Sequence, residues 1–178
     1  MKEHEVLVCV NGAALALKDP IVPRITFMNT SIAAAKGAGL ETYRSLDRLK
    51  TDHLIIIEGS PNFSERWISI LERASYNSFD FYSLEMRMEF MKKLLGPLKG
   101  VQGDHVPSTG VFAILALLAQ GAKRIRLNGF SLVDGHSYLN RSFRRHHIEM
   151  DRHVFELVQR KGLPVSGTIE TESGEISL

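Results

Sequence analysis

The stretch "HHIEMDRHVFELV", residues 146–158, concentrates groups able to do chemistry. His146, Glu149 and His153 fall at i, i+3 and i+7, which on a helix puts them on one face. Asp151 follows His146 by five residues. Three readings fit these types at this spacing. Two histidines and a carboxylate on one face could hold a metal ion. One histidine backed by Asp151 or Glu149 could act as a general base, since an imidazole titrates near neutrality. The plain alternative is a polar, solvated helix start. The metal reading is the weakest, because no second cluster at ligand spacing supports it. His147 and His153 are expected to be exposed. His105 in "GDH" and His136 in "DGH" read as structural loop histidines.

Whatever stands before such a base must be held by other turns, and three candidates recur at strand ends. "NGAAL" follows a short apolar run. Gly12 there would let a backbone amide approach a ligand, and Asn11 offers both a donor and an acceptor. "MNTS" places Asn29 after a second run. "PSTG" opens a long apolar helix, so Ser108, Thr109 and Gly110 would present hydroxyls and free amides at a positive helix end. Taken singly, an "NG" is a turn, Asn29 a satisfied strand-end residue and Ser108 or Thr109 an N-cap. Taken together they suit a nucleotide or another phosphate-bearing ligand. There is no GxGxxG and no Walker A sequence, so the common dinucleotide and ATP signatures are absent.

The elements that must position these residues alternate. "EVLVCV" (5–10), "RITFMN" (24–29), "HLIIIEG" (53–59) and "RIRLNGF" (124–130) read as strands, with "PVSGTI" as a last one. "TSIAAAKGAG" (30–39), the amphipathic "NFSERWISILERA" (62–74) and "SLEMRMEFMKKLLG" (83–96) read as helices. So do "PSTGVFAILALLAQGAK" (107–123) and residues 146–161. Trp67, Ile70 and Leu71 form the apolar stripe of the 62–74 helix. The 107–123 helix is apolar all round and should be buried centrally. Its apolarity leaves a homo-oligomer open. This alternation predicts an α/β fold: a single Rossmann-like domain over residues 1–178, with a largely parallel sheet and helices on both faces.

Composition sets limits. The chain has 178 residues, 44% hydrophobic and 24% charged, with a net charge of +2. That is an ordinary globular balance and gives no reason to expect nucleic-acid binding. "RSFRR" (141–145) and "AKRIR" (122–126) are local basic clusters. They read first as solvated surface and second as phosphate or peripheral anionic-membrane contacts. Cys9 is the only cysteine, so no internal disulfide can form, and "VLVCV" makes it a buried small hydrophobe. "VFAILALLA" (111–119) is too short to cross a bilayer, and "MKEHEVLVCV" does not read as a signal peptide. A cytoplasmic protein is expected.

"NGAAL" after the first strand, Asn29 after the second, "PSTGVFAILALLAQGAKRIRLNGF", and a histidine followed five residues later by Asp151 resemble the bacterial sialyltransferases of lipooligosaccharide synthesis. The "PSTG" helix followed by a strand and "GF" is also similar to the small sialyl motif of animal sialyltransferases. The resemblance covers about residues 5–160 and is strongest over 107–130 and 146–158. It implies a single α/β glycosyltransferase domain. Such a domain takes the sugar from CMP-sialic acid without a metal or cofactor and passes it to a glycan or lipid-linked glycan hydroxyl. It implies that Asn11, Gly12 and Asn29 approach the nucleotide sugar. Thr109 and Gly110 would contact the donor, and Gly129 and Phe130 would line the cytidine pocket. Tyr138 would bind the donor phosphate, and His146 would deprotonate the acceptor.

Two departures from that family stand out. "SLVDGHSY" supplies one tyrosine, Tyr138, where the bacterial family usually has two; His136 occupies the same loop. The third strand ends in Glu58 where the bacterial enzymes have an asparagine that holds the sugar carboxylate. A glutamate there would repel that carboxylate, so either the donor is a different CMP-sugar or the correspondence shifts toward Ser60. Glu58 and the missing tyrosine also sustain a second reading, a nucleotide-binding or regulatory domain of the same fold without turnover. A metal-dependent hydrolase is a third and weaker one.

Overall fold

The structure is a computed structural model and describes residues 5–18, 20–34, 38–59, 66–96, 106–133 and 147–178. It is an α/β chain whose contacts sort into two compact units, Met1–Arg87 and Met88–Leu178.

The first unit is built on four parallel strands, β1 (Val8–Val10), β2 (Ile25–Asn29), β3 (Lys50–Ile57) and β4 (Ser75–Tyr82). They lie side by side in chain order, β1-β2-β3-β4. The β-branched run "LIII" explains β3. Leu54, Ile55, Ile56 and Ile57 are all buried, so both faces of this strand are covered, as a parallel strand requires. On one face Met28, Leu54 and Ile56 pack with Leu46, Leu49 and Ile70. Ile70 belongs to α2 (Arg66–Leu71), and Trp67 and Leu71 join it on the expected stripe.

The helix expected over 30–39 comes later. Thr30–Ala34 is a 3-10 turn, and α1 spans Ala38–Arg44. Thr30 is fully buried and its hydroxyl accepts the Gly59 N–H, which ties the chain to the sheet edge before a helix can start.

Strand β4 was not anticipated. "SYNSFDFY" carries Asn, Ser and Asp, residues depleted in strands, and most of it is exposed. Its register is nonetheless continuous with β3, from Lys50↔Ser75 to Ile57↔Tyr82.

Helix α3 (Leu84–Leu95) begins in the first unit and ends in the second. Its start is capped twice: Ser83 Oγ accepts the Met86 N–H at 3.1 Å and Glu58 Oε2 accepts the Leu84 N–H at 2.8 Å.

The second unit centres on α4 (Thr109–Ala119) and α5 (Ile148–Arg160). Val111 through Ala116 are all buried, as the all-round apolar pattern demands. Val111, Ile114 and Leu115 pack with Met150, Val154, Phe155 and Val158 of α5.

The single strand expected over 124–130 is two short ones, β5 (Ile125–Arg126) and β6 (Phe130–Ser131). They pair in parallel with β7 (Val165–Ser166) and β8 (Thr168–Thr171). Between Arg126↔Ser166 and Phe130↔Ile169 the first segment advances by one residue more than the second. This bulge turns at Gly129, whose φ of 73° suits glycine. A further strand, β9 (Gly174–Ser177), closes an antiparallel hairpin on β8. Among the described residues no helix is long and apolar enough to cross a membrane.

Candidate functional site

The polar residues singled out in the first unit sit at the carboxyl ends of its strands, and they bind one another. Asn11 follows β1 in a left-handed conformation, φ 48°, which asparagine tolerates better than most residues. Its Oδ1 accepts the Asn29 N–H at 3.0 Å, joining the ends of β1 and β2. That leaves the Nδ2 donors of Asn11 as what it can offer a ligand. Asn29 Oδ1 accepts the Ser31 N–H at 2.9 Å, an Asx turn. Gly12 is needed for close packing within the fold: a Cβ there would stand 2.8 Å from Thr42 Oγ1.

At the end of β3, Glu58 is buried, with its carboxylate on the α3 amide and its carbonyl accepting from Arg87 Nη1 at 2.7 Å. The charge therefore faces a positive helix end. Tyr82 ends β4. Burial first, and the Asp80 charge second, push its phenol up, so it stays an O–H donor at neutral pH.

In the second unit two of the sequence motifs meet. Ser108 is the N-cap of α4, its Oγ accepting the Val111 N–H at 3.4 Å. The Ser108 N–H donates to Asp151 Oδ1 at 2.8 Å, and Asp151 is fully buried in the first turns of α5. His147, expected to be exposed, is half-buried. Its Nδ1–H donates to Val106 O at 2.8 Å, since a carbonyl can only accept. The α5 start thus holds the segment that leads into "PSTG" at two points. His153, also expected to be exposed, is half-buried, while Glu149 is exposed.

Gly110 lies against the ring of Phe130; a Cβ there would come within 2.9 Å of Cε1. Phe130 in turn meets Phe155 edge-on, with centroids 6.0 Å apart. Thr109 is buried beside them in sequence.

Asn11, Gly12 and Asn29 thus belong to the first unit, and Ser108, Thr109, Gly110, Gly129 and Phe130 to the second. His146 and Tyr138 lie outside the described residues, as do His105 and His136. Among the described residues no three His, Cys, Asp or Glu side chains are grouped so as to hold a metal ion.

Sequence reasoning passed over one polar array. His53 of β3 bridges Ser78 and Asp80 of β4, with Nδ1 2.8 Å from Ser78 Oγ and Nε2 3.1 Å from Asp80 Oδ2. The only signal was the alternation of Ser78 and Asp80 with aromatics, which becomes legible once "SYNSFDFY" is read as a strand. No known protein family, curated protein or solved structure matches this chain.

Proposed function

We propose that the chain is a metal-independent glycosyltransferase of sialyltransferase type, with a Rossmann-like nucleotide-sugar-binding domain over residues 1–178. It would move a sialic acid or related sugar from a CMP-sugar to a hydroxyl of a glycan or lipid-linked glycan. The observation that supports this most is the meeting of motifs in the second unit. The "PSTG" helix start touches the "GF" strand through Gly110 and Phe130, and Asp151 of the histidine-bearing helix accepts the Ser108 N–H.

On this reading Ser108, Thr109, Gly110, Gly129 and Phe130 are donor-binding residues. Asn11, through Nδ2, Gly12 and Asn29 are the candidate ligand contacts of the first unit. His146 is the general base and Tyr138 steadies the departing phosphate. CMP is a good leaving group, so hydrogen-bond donors suffice to stabilise its charge. A cytoplasmic enzyme, peripheral to the inner face of the membrane through its basic clusters, accords with this reading.

The test is a thermal-shift panel of CMP, CDP, UDP and GDP without metal. A ligand at a hundred times its Kd stabilises the folded state by about 2.7 kcal/mol. CMP should raise Tm most, and His146→Ala should lower transfer about a hundredfold while leaving the CMP shift intact. No preference for CMP, or normal transfer by His146→Ala, would sink the proposal.

Glu58 favours a second reading. Its carboxylate is committed to α3, so β3 ends without a carboxamide to greet a sugar carboxylate. A CMP-binding domain without turnover would show the CMP shift but no release of sugar from the donor to water.

A further inference from the structure

We propose that Ser78 is an activated nucleophile, and that Ser78, His53 and Asp80 hydrolyse small carboxylic esters through an acyl-serine intermediate. The trio is independent of the CMP-sugar reading and lies within the first unit.

The strand register builds it. His53 pairs with Ser78, and Ile55 with Asp80, so Ser78 and Asp80 project to the face that carries His53. The ring lies between them, at 2.8 Å from Ser78 Oγ and 3.1 Å from Asp80 Oδ2. An ionised carboxylate only accepts, so Asp80 fixes the proton on Nε2. The Nδ1 lone pair is then left for the Ser78 hydroxyl. That is the order nucleophile, base, orienting acid, with the two ring nitrogens in exchanged roles relative to the serine-protease template.

The neighbouring charge does not compete for the ring. Asp52 is engaged by Arg24 at 2.8 Å and by Asn77 at 3.2 Å. The His53 side chain is 28% exposed, so the base is shielded, whereas Ser78 is open to solvent.

A developing oxyanion also needs a donor. The Glu58 N–H bonds Tyr82 O, and Tyr82 pairs with Ile57. In a parallel ladder, alternate residues aim their main-chain groups at the neighbouring strand. Tyr82 and Asp80 therefore face β3, and Phe81 and Phe79 face the other way. Among the described residues β4 is outermost in this sheet, so the Phe79 N–H, directly after the nucleophile, points away from β3 and is a candidate donor.

The reaction balances without a co-reactant other than water. Ser78 Oγ adds to the ester carbonyl carbon as its proton passes to Nδ1. The tetrahedral adduct collapses, the bond to the alcohol oxygen breaks, and that oxygen takes the proton from Nδ1. Water then attacks acyl-Ser78, losing its proton to the same nitrogen. The carboxylic acid leaves and the Ser78 hydroxyl is restored. Ser78 is exposed, and small acyl groups are the ones that reach it beside the covered stretch of β3.

The test uses the full chain, a fluorophosphonate probe and p-nitrophenyl acetate. Peptide mass spectrometry should find the phosphonyl adduct on Ser78. His53→Ala should slow that labelling, and ester turnover with it, about a hundredfold. Ser78→Ala should abolish both. His53→Gln, which keeps a polar side chain between the strands, serves if the alanine variant fails to fold. A folded wild-type chain without an adduct on Ser78, or Ser78 labelled equally fast without the His53 ring, would overturn the proposal.

Discussion

Asn29 spends its carboxamide oxygen on the Ser31 N–H, and this decides what may stand at residue 59. A Cβ at Gly59 would overlap Asn29 Oδ1 and stand 3.1 Å from its Cγ and 3.2 Å from Ser31 Cβ. The carboxamide cannot swing away without losing the Asx turn. The Gly59 N–H is itself bound to Thr30 Oγ1. Gly59→Ala should therefore cost about 1–3 kcal/mol in urea unfolding, the usual range for overpacking. An unchanged midpoint would mean that Asn29 yields freely and that the strand-end lacing is loose. The same lacing explains why residue types alone were an incomplete guide here. Asn11, Asn29 and Ser108 were rightly read as polar residues at strand and helix ends. Whether such a group serves a ligand or its own backbone depends on partners distant in sequence, such as Asn11 for Asn29, and spacing does not reveal them.

Elements with strong periodicity were legible, and those whose identity comes from neighbours were not. The β-branched run of β3, the all-apolar α4 and the amphipathic α5 each carry their own signal. Strand β4 is a strand because β3 offers it a ladder, not because of its residue types. The break at Gly129 arises from a register slip that only pairing with β7 and β8 exposes.

Helix α1 has an equally non-local anchor. Arg73, just past α2, donates to the carbonyls of Tyr43 (2.6 Å) and Arg44 (2.9 Å) at the α1 C-terminus and stacks over the Tyr43 ring. It also grips Asp47 through Nε at 3.2 Å and Nη2 at 2.7 Å. These hydrogen bonds, aided by the guanidinium charge, hold the Asp47 carboxyl below its ordinary value. In the unfolded chain an aspartate titrates near about 3.9. The pair therefore stabilises the fold fully above that pH, and its contribution is lost as pH falls through the depressed value. The stability gap between wild type and Asp47→Asn should close on acidification, and added salt should narrow it at neutral pH because the pair is exposed. A gap constant from neutral pH to pH 2 would contradict this assignment.

At the scale of the whole molecule, two clusters of buried residues can be followed among the described residues. One gathers Met28, Leu46, Leu54, Ile56 and Ile70 between residues 28 and 70; the other gathers Val111, Ile114, Leu115, Val154 and Ile169 beyond residue 88. Helix α3 carries an unbroken helical pattern across the division between the two units at Arg87 and Met88. Separate cores can open separately, each with its own free energy, even where they serve one function. Ile56→Val and Ile114→Val each remove one methyl group from a buried side chain, at about 0.5–1.5 kcal/mol. Native-state hydrogen exchange should then respond locally. Ile56→Val should speed exchange of the β2 and β3 amides and spare α4 and α5. Ile114→Val should do the reverse. If either substitution lowers protection in both units by the same free energy, the two cores open as one cooperative body, and the separation seen in the contacts has no counterpart in stability.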